Sequence, residues 1–209
     1  EKMIEQKKLS PLVRLVDDDE MVLRSESFLV RMDGWQTAEY SSAEEFLERD
    51  DFIRPGCVVL DIRMPRMSGI ELQSLMNQRN IDLPIIFLTG HGDIDMAVSS
   101  MKKGAVDFLV KPPSEERFQE AVKTAVEKDV ANKTIKFERQ TKEALFEELT
   151  PREQEIALPL AKGSANKVIA IDLNISEQSI KKYRSSLMGK LGIRTTVELN
   201  EFLRSIGKL

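Results

Sequence analysis

Apolar positions follow two rhythms in this chain, and the change between them marks out its elements. Over residues 12–110, short apolar runs of strand length alternate with stretches where apolar residues recur at helical spacing. Leu12–Val16 reads as an opening strand and runs into Asp17-Asp18-Asp19-Glu20. A helix follows, marked by Met21, Val22, Phe28 and Leu29, and after Gly34 a short strand covers Gln36–Tyr40. Ser42-Ala43-Glu44-Glu45 has the spacing of a capping box and starts the next helix. Cys57–Leu60 is a strand delivering Asp61, and the Pro65–Gly69 loop leads into a helix over Ile70–Arg79. Leu83–Leu88 and Ala105–Val110 complete the strands, ending in Thr89-Gly90-His91-Gly92 and in Lys111-Pro112-Pro113. A helix over Asp93–Lys103 stops at Gly104, and Ser114 caps another whose first turn holds Glu115 and Glu116.

Five such alternations predict an α/β fold, a doubly wound sheet of five parallel strands. Parallel strands bring their C-terminal ends to one edge, where α/β proteins bind ligands. Acids, an acid, a hydroxyl and a lysine would therefore meet there. On its own, Asp61 reads equally well as a turn carboxylate, Thr89 as a strand-end residue and Lys111 as a surface lysine. Their shared position turns the reading toward chemistry. Carboxylates of Asp17, Asp18 and Asp61 brought together would repel unless a cation intervened. Mg²⁺ suits oxygen ligands in a site that also takes phosphate. Asp61, kept ionised, could then attack a phosphoryl group, with Lys111 and Thr89 contacting its oxygens.

Beyond Ser114 the helical rhythm persists. Phe118, Val122, Val126, Val130, Phe137 and Leu145 recur through a charged stretch, and residues 114–150 contain neither Gly nor Pro. One continuous helix to about Glu148 would be ~50 Å long; the alternative ends the helix near Lys128 and continues as a charged linker. Thr150-Pro151-Arg152-Glu153 then opens a set of short helices: to Lys162, Asn166–Leu173, Ser176–Leu191, and from Thr195 or Thr196 through Leu203. A tight turn at Asn174-Ile175 precedes a helix with Lys181, Lys182, Arg184 and Lys190 on one side and Ile180, Leu187 and Leu191 on the other. That is the arrangement of a recognition helix in a helix-turn-helix. Pro159 and Gly189 interrupt these helices, by removing a hydrogen bond and by weakening helix propensity respectively.

Charge supports two modules. Of the 209 residues, those from Thr150 onward carry ten Lys and Arg against six Asp and Glu, a net of +4, which leaves −8 for the first 149. An acidic front and a basic tail imply different partners. Cys57, the single cysteine, excludes an internal disulfide and a cysteine-based zinc site. Apolar runs fall far short of the ~20 residues of a membrane span. The charged segment Glu1–Ser10 does not read as a signal peptide, so a cytoplasmic protein without a membrane partner is expected.

Asp17-Asp18, Leu60-Asp-Ile-Arg-Met-Pro-Arg-Met-Ser-Gly-Ile-Glu-Leu72, Thr89-Gly90 and Phe108-Leu-Val-Lys111-Pro112 together resemble the receiver domain of two-component response regulators, over about residues 10–130. The resemblance implies a flavodoxin-like fold in which Asp61 accepts phosphate from a sensor histidine kinase. Asp17, Asp18, Asp61 and the Arg63 backbone carbonyl would hold Mg²⁺. Thr89 and Phe108 match the family's switch pair, Lys111 its phosphate-contacting lysine, and Lys111-Pro112 its cis peptide. Asp19 is expected to serve the following helix instead of the metal. Arg63 and His91 stand where the family tunes the lifetime of the phosphate, and Pro113 departs from the apolar residue usual there.

Thr150-Pro-Arg-Glu153, Gly163, Asn166-Lys167, Ser176 and Lys190-Leu-Gly192 resemble the LuxR-type helix-turn-helix over about residues 149–207, which implies a small all-α domain of four helices at 149–209, with residues 131–148 as linker. Tyr183 departs from the histidine common in relatives. By that match Gln178, Lys181, Lys182 and Ser185 lie nearest base edges, and Lys167, Ser176, Arg184, Lys190 and Arg194 nearest phosphates. The expectation is a transcription factor of the NarL/FixJ type, a homodimer when phosphorylated, that binds double-stranded promoter DNA and has RNA polymerase as a candidate partner. It would not be a turnover enzyme: an aspartate phosphatase of the haloacid-dehalogenase type places a second Asp two residues beyond the nucleophile, where this chain has Arg63. A phosphorelay adaptor whose basic tail binds protein or RNA is the remaining alternative.

Overall fold

Strands β1 (Leu12–Val16), β2 (Gln36–Tyr40), β3 (Gly56–Asp61), β4 (Ile85–Thr89) and β5 (Asp107–Val110) form one parallel sheet in the order β2-β1-β3-β4-β5. The computed structural model describes residues 10–90 and 101–209. The expected helix over Asp93–Lys103 therefore lies largely outside the described residues, as does His91. Among the described residues, helices α1 (Glu20–Met32), α2 (Ala43–Arg49), α3 (Gly69–Gln78) and α4 (Glu115–Glu147) follow in the chain order expected.

β3 is central and every residue in it is buried, because a parallel sheet is covered on both faces. Its side chains alternate between two cores. Cys57 and Val59 pack with Val13, Leu15, Leu23, Val30, Phe118, Val122 and Val126, so α1 and α4 cover that face. Val58 and Leu60 pack with Phe46, Leu72, Met76 and Phe87 under α2 and α3. The fourth strand begins at Ile85 instead of Leu83; Pro84 precedes it and contributes its carbonyl to the Val58 N–H, 2.8 Å.

Two sequence signals changed meaning in the fold. Met21 and Phe28 mark α1 as a helix but are 72% and 64% exposed. The buried side of α1 is Leu23, Glu26, Ser27 and Val30, half of it polar. At α2, Ser42 caps the helix by accepting the Glu45 N–H, while the Glu45 carboxylate takes the Ser41 N–H instead of closing the reciprocal box.

The chain divides into two compact units, Glu1–Lys133 and Thr134–Leu209. α4 is unbroken from Glu115 to Glu147, and its apolar residues serve different parts of the chain. Phe118, Val122 and Val126 are buried in the sheet unit, Phe146 belongs to the helical core, and Ile135 and Phe137 between them are exposed.

In the second unit α5 (Pro151–Ala161), α6 (Asn166–Asp172), α7 (Glu177–Leu191) and α8 (Thr196–Ser205) enclose Ile156, Leu160, Ile169, Ile180, Leu187 and Leu199. Thr150 and Glu153 form the expected reciprocal capping box. α5 runs two residues past Pro159, and Gly192 ends α7 with φ +67°, the left-handed conformation that glycine takes without strain. No helix among the described residues is long and apolar enough to cross a membrane.

Candidate acidic site and candidate nucleic-acid interface

Strand alternation continues to the strand ends, so Asp17 and Asp61 leave the sheet on the face covered by α1 and α4. Asp61 is 7% exposed and Asp17 2%. The Lys111 ammonium stands between them, 2.6 Å from Asp61 Oδ1 and hydrogen-bonded to Asp17 Oδ2. The Arg63 N–H donates to the other Asp61 oxygen at 2.8 Å, and the Asp19 N–H to Asp17 Oδ1 at 2.9 Å. Asp19 itself is the N-cap of α1, accepting the Met21 N–H, so it serves the helix as expected.

Opposing influences act on Asp61. Burial pushes its carboxyl up, the Lys111 hydrogen bond and charge and the Arg63 N–H pull it down, the Asp17 charge adds to the rise, and the balance is raised. Burial disfavours the Lys111 ammonium, but its bonds to Asp17 and Asp61 outweigh that and raise its pKa.

The loop after Asp61 is held by close backbone approach. Gly69, the first residue of α3, donates its N–H to the Ile62 carbonyl, and a Cβ there would lie 2.2 Å from the Asp61 carbonyl oxygen. Only glycine lets α3 begin against the strand that carries Asp61.

Thr89 ends β4, 1% exposed, with its hydroxyl donating to the Gly90 carbonyl at 3.2 Å. Phe108 packs on the α2–α3 face beside Phe87. The Lys111–Pro112 peptide is cis. Asp18 and the Arg63 side chain are exposed. Among the described residues no three His, Cys, Asp or Glu side chains converge as a metal-binding group. The structure thus joins Asp17, Asp61 and Lys111, and leaves Asp18 beside them at the surface. A cation already occupies the space between the two buried carboxylates, in the form of the lysine ammonium. A hard-oxygen pair that attracts one cation suits Mg²⁺, which is bound through one or two carboxylates and keeps several waters.

One acidic group at this site escaped the sequence reading. Glu26, on the inward side of α1, is 7% exposed. Burial pushes its carboxyl up to about 8, with the Asp17 charge adding, Lys111 opposing and Asp61 adding. Its signal in the sequence is its place three residues after Leu23 and four before Val30, within the buried stripe.

In the helical unit, Gln178, Lys181, Lys182 and Ser185 are exposed on α7, while Ile180, Leu187, Met188 and Leu191 are buried on its other side. Ser176 caps α7 through the Ser179 N–H, and the Asn174 turn before it has φ +49°. Lys167 and Arg184 line one cleft beside Asn166 and Thr196, and Arg194 is exposed. Tyr183 is partly buried against the core.

Lys190 is differently placed. Its ammonium donates to Glu153 Oε2 at 2.7 Å, and Glu153 also accepts from Ser186 at 2.6 Å and from both donors of Thr150. Burial alone would push the Glu153 carboxyl up; Lys190, Ser186 and Thr150 reverse that and hold it down at about 2. Lys190 thus ties α7 to α5.

Comparison with known proteins agrees with both units. Residues 13–123 match the response regulator receiver domain, and residues 147–203 match the luxR family of bacterial regulatory proteins. The chain is 38% identical to Nodulation protein W of Bradyrhizobium diazoefficiens, covering 94% of this chain and 86% of the relative. It is 37% identical to Transcriptional regulatory protein FixJ of Rhizobium meliloti, covering 90% and 92%. Among solved structures, response regulator StyR superposes with a TM-score of 0.88 at 37% identity, covering 93% of this chain and 98% of that one. Full-length FixJ from B. japonicum gives 0.59 at 34% identity, covering 95% and 98%. A buried aspartate pair bridged by lysine at the edge of a parallel sheet, and a basic helix in a separate helical unit, are what that kinship leads one to find: the chain belongs to the NarL/FixJ response regulators, DNA-binding proteins of two-component systems.

Proposed function

We propose that Asp61 is the phosphoacceptor and that its phosphorylation by a sensor histidine kinase controls DNA binding by α7. The supporting observation is the pairing of buried Asp61 with Lys111 and Asp17 at the end of the central strand. An Asp61 carboxylate oxygen attacks the donor phosphorus, the bond from phosphorus to the donor atom breaks with its electron pair going to the donor, and an acyl phosphate forms. Hydrolysis later returns the carboxylate and inorganic phosphate. Asp17, Asp18, Asp61 and the Arg63 carbonyl would hold Mg²⁺, which when bound would supply charge neutralisation for the phosphoryl oxygens.

Lys111, released from its carboxylate partners, contacts the phosphoryl group, and the Thr89 hydroxyl turns toward it from Gly90 with Phe108 following. Arg63 and His91 set the lifetime of the acyl phosphate. The chemistry is self-modification, without turnover of outside substrates. Residues 10–130 act as receiver, 131–148 as linker and 149–209 as DNA-binding domain. Phosphorylation favours a homodimer whose two α7 helices reach half-sites ~34–36 Å apart. Gln178, Lys181, Lys182 and Ser185 read base edges, while Lys167, Ser176, Arg184 and Arg194 contact phosphates. Lys190 joins the phosphate contacts only by sharing its ammonium with Glu153. RNA polymerase is the next partner in that scheme, and the cytoplasm, where promoter DNA is, its site of action.

The test is incorporation of labelled phosphate from acetyl phosphate with Mg²⁺. The parent protein takes up label that is labile to base, and Asp61→Asn takes up none. Labelling of Asp61→Asn at the parent's rate contradicts the assignment.

A further inference from the structure

A continuous polar path crosses the sheet unit from the acidic site to the root of the long helix. The Tyr40 carbonyl accepts the Asp17 N–H at 3.2 Å. The Tyr40 hydroxyl donates to Asp50 Oδ2 at 2.7 Å, and Arg14 Nε donates to the same oxygen at 2.7 Å. The Arg14 side chain is fully buried and that of Asp50 is 1% exposed. Arg14 also donates to the Arg54 carbonyl at 3.2 Å. That carbonyl receives Lys133 of α4 at 3.3 Å. Lys133 pairs with Asp129 at 3.0 Å, and Asp129, 3% exposed, accepts the Gly56 N–H at 2.8 Å. Two residues one turn apart on α4 therefore grip both ends of the Arg54-Pro55-Gly56 turn.

The turn cannot yield easily. Gly56 has φ +148°, and a Cβ there would lie 1.9 Å from the Leu12 carbonyl oxygen. The Pro55 carbonyl accepts the Leu12 N–H at 2.8 Å, which fixes it to β1. Past Lys133, every residue of α4 from Thr134 to Thr141 is exposed, whereas Asp129 of this grip is buried. Apolar packing tolerates sliding and rotation, whereas a buried carboxylate is costly to leave unpaired and demands one geometry.

We propose that the Asp129–Lys133 grip on the Arg54–Gly56 turn is a clamp that fixes the root of the linker helix and is needed for phosphorylation to alter DNA binding. The phospho-control reading above supplies the signal; the clamp is how the helix holds its place while the signal passes. Neither residue touches the acidic site, so phosphate acceptance does not depend on them.

The test uses the full chain with Lys133→Met, which keeps the stem and removes the ammonium, and Asp129→Asn, which keeps an acceptor for Gly56. A duplex selected from a random pool by the phosphorylated parent serves as DNA. Both variants are expected to accept phosphate from acetyl phosphate at the parent's rate. Amide exchange over residues 127–137 should be faster by about tenfold or more. The gain in DNA affinity on phosphorylation should shrink by about fivefold or more. Parent-like exchange overturns the clamp whatever the DNA response, and so does a parent-like gain in affinity or a loss of phosphate acceptance. A parent that gains no affinity on phosphorylation would instead count against the phospho-control reading, leaving the clamp to stand or fall on exchange.

Discussion

Glu26 shows how far one buried side chain can shift the behaviour of the acidic site. Its carboxyl is pushed from the ordinary value of 4.5 up to about 8, chiefly by burial. A group whose pKa is raised by folding favours the folded state fully below its unfolded pKa, and that contribution is lost as pH rises through the folded value. The parent should therefore lose stability between about pH 4.5 and pH 8 at the expense of this one group, in a way that a non-ionising amide does not. In metal-free urea unfolding, Glu26→Gln is expected to gain on the parent steadily over that window, by on the order of 4–5 kcal/mol, and to level off above it. A difference between the two proteins that is constant with pH would contradict the protonated state of Glu26. Glu153 shows the opposite environment: equally buried, it is met by Lys190, Ser186 and Thr150 and stays ionised.

At the scale of elements, Gly189 gives a simple test of the recognition helix. It lies within α7, and a Cβ there would meet nothing within 4 Å. Gly189→Ala should stabilise the protein by about 0.5–1 kcal/mol in denaturant unfolding. Destabilisation would mean that the helix is not regular at that point.

The same scale shows what the sequence could disclose. Strand ends were legible because each functional group directly follows an apolar run, as Asp61 follows Val58–Leu60. Capping at Ser42 and Thr150 was legible because it is local. What stayed hidden depends on partners far along the chain. Arg14 sits in a strand as if it were an error, until Asp50 arrives from 36 residues away. Lys190 looks like a free phosphate contact until Glu153 meets it from 37 residues away. On α1 the apolar marks Met21 and Phe28 face solvent, while Glu26 and Ser27 are covered, because burial follows where the sheet lies and not which residues are apolar.

For the whole molecule, charge divides unevenly, −8 over the first 149 residues and +4 over the rest, so the acidic part takes in the receiver match and the basic part most of the luxR-family match. In the proposed account phosphate chemistry belongs to the buried carboxylates held by Lys111, and DNA contact to the exposed basic side of α7. A basic helix that contacts phosphates releases counterions, so affinity for duplex DNA must fall with added salt. The central claim is that phosphate on Asp61 governs this binding. The most direct test measures affinity for the selected duplex across a salt series, with and without acetyl phosphate and Mg²⁺, for the parent and for Asp61→Asn. The account predicts salt-sensitive binding by both proteins and a gain of about tenfold or more on phosphorylation in the parent alone. An equal gain in Asp61→Asn, or no gain in either, would contradict it.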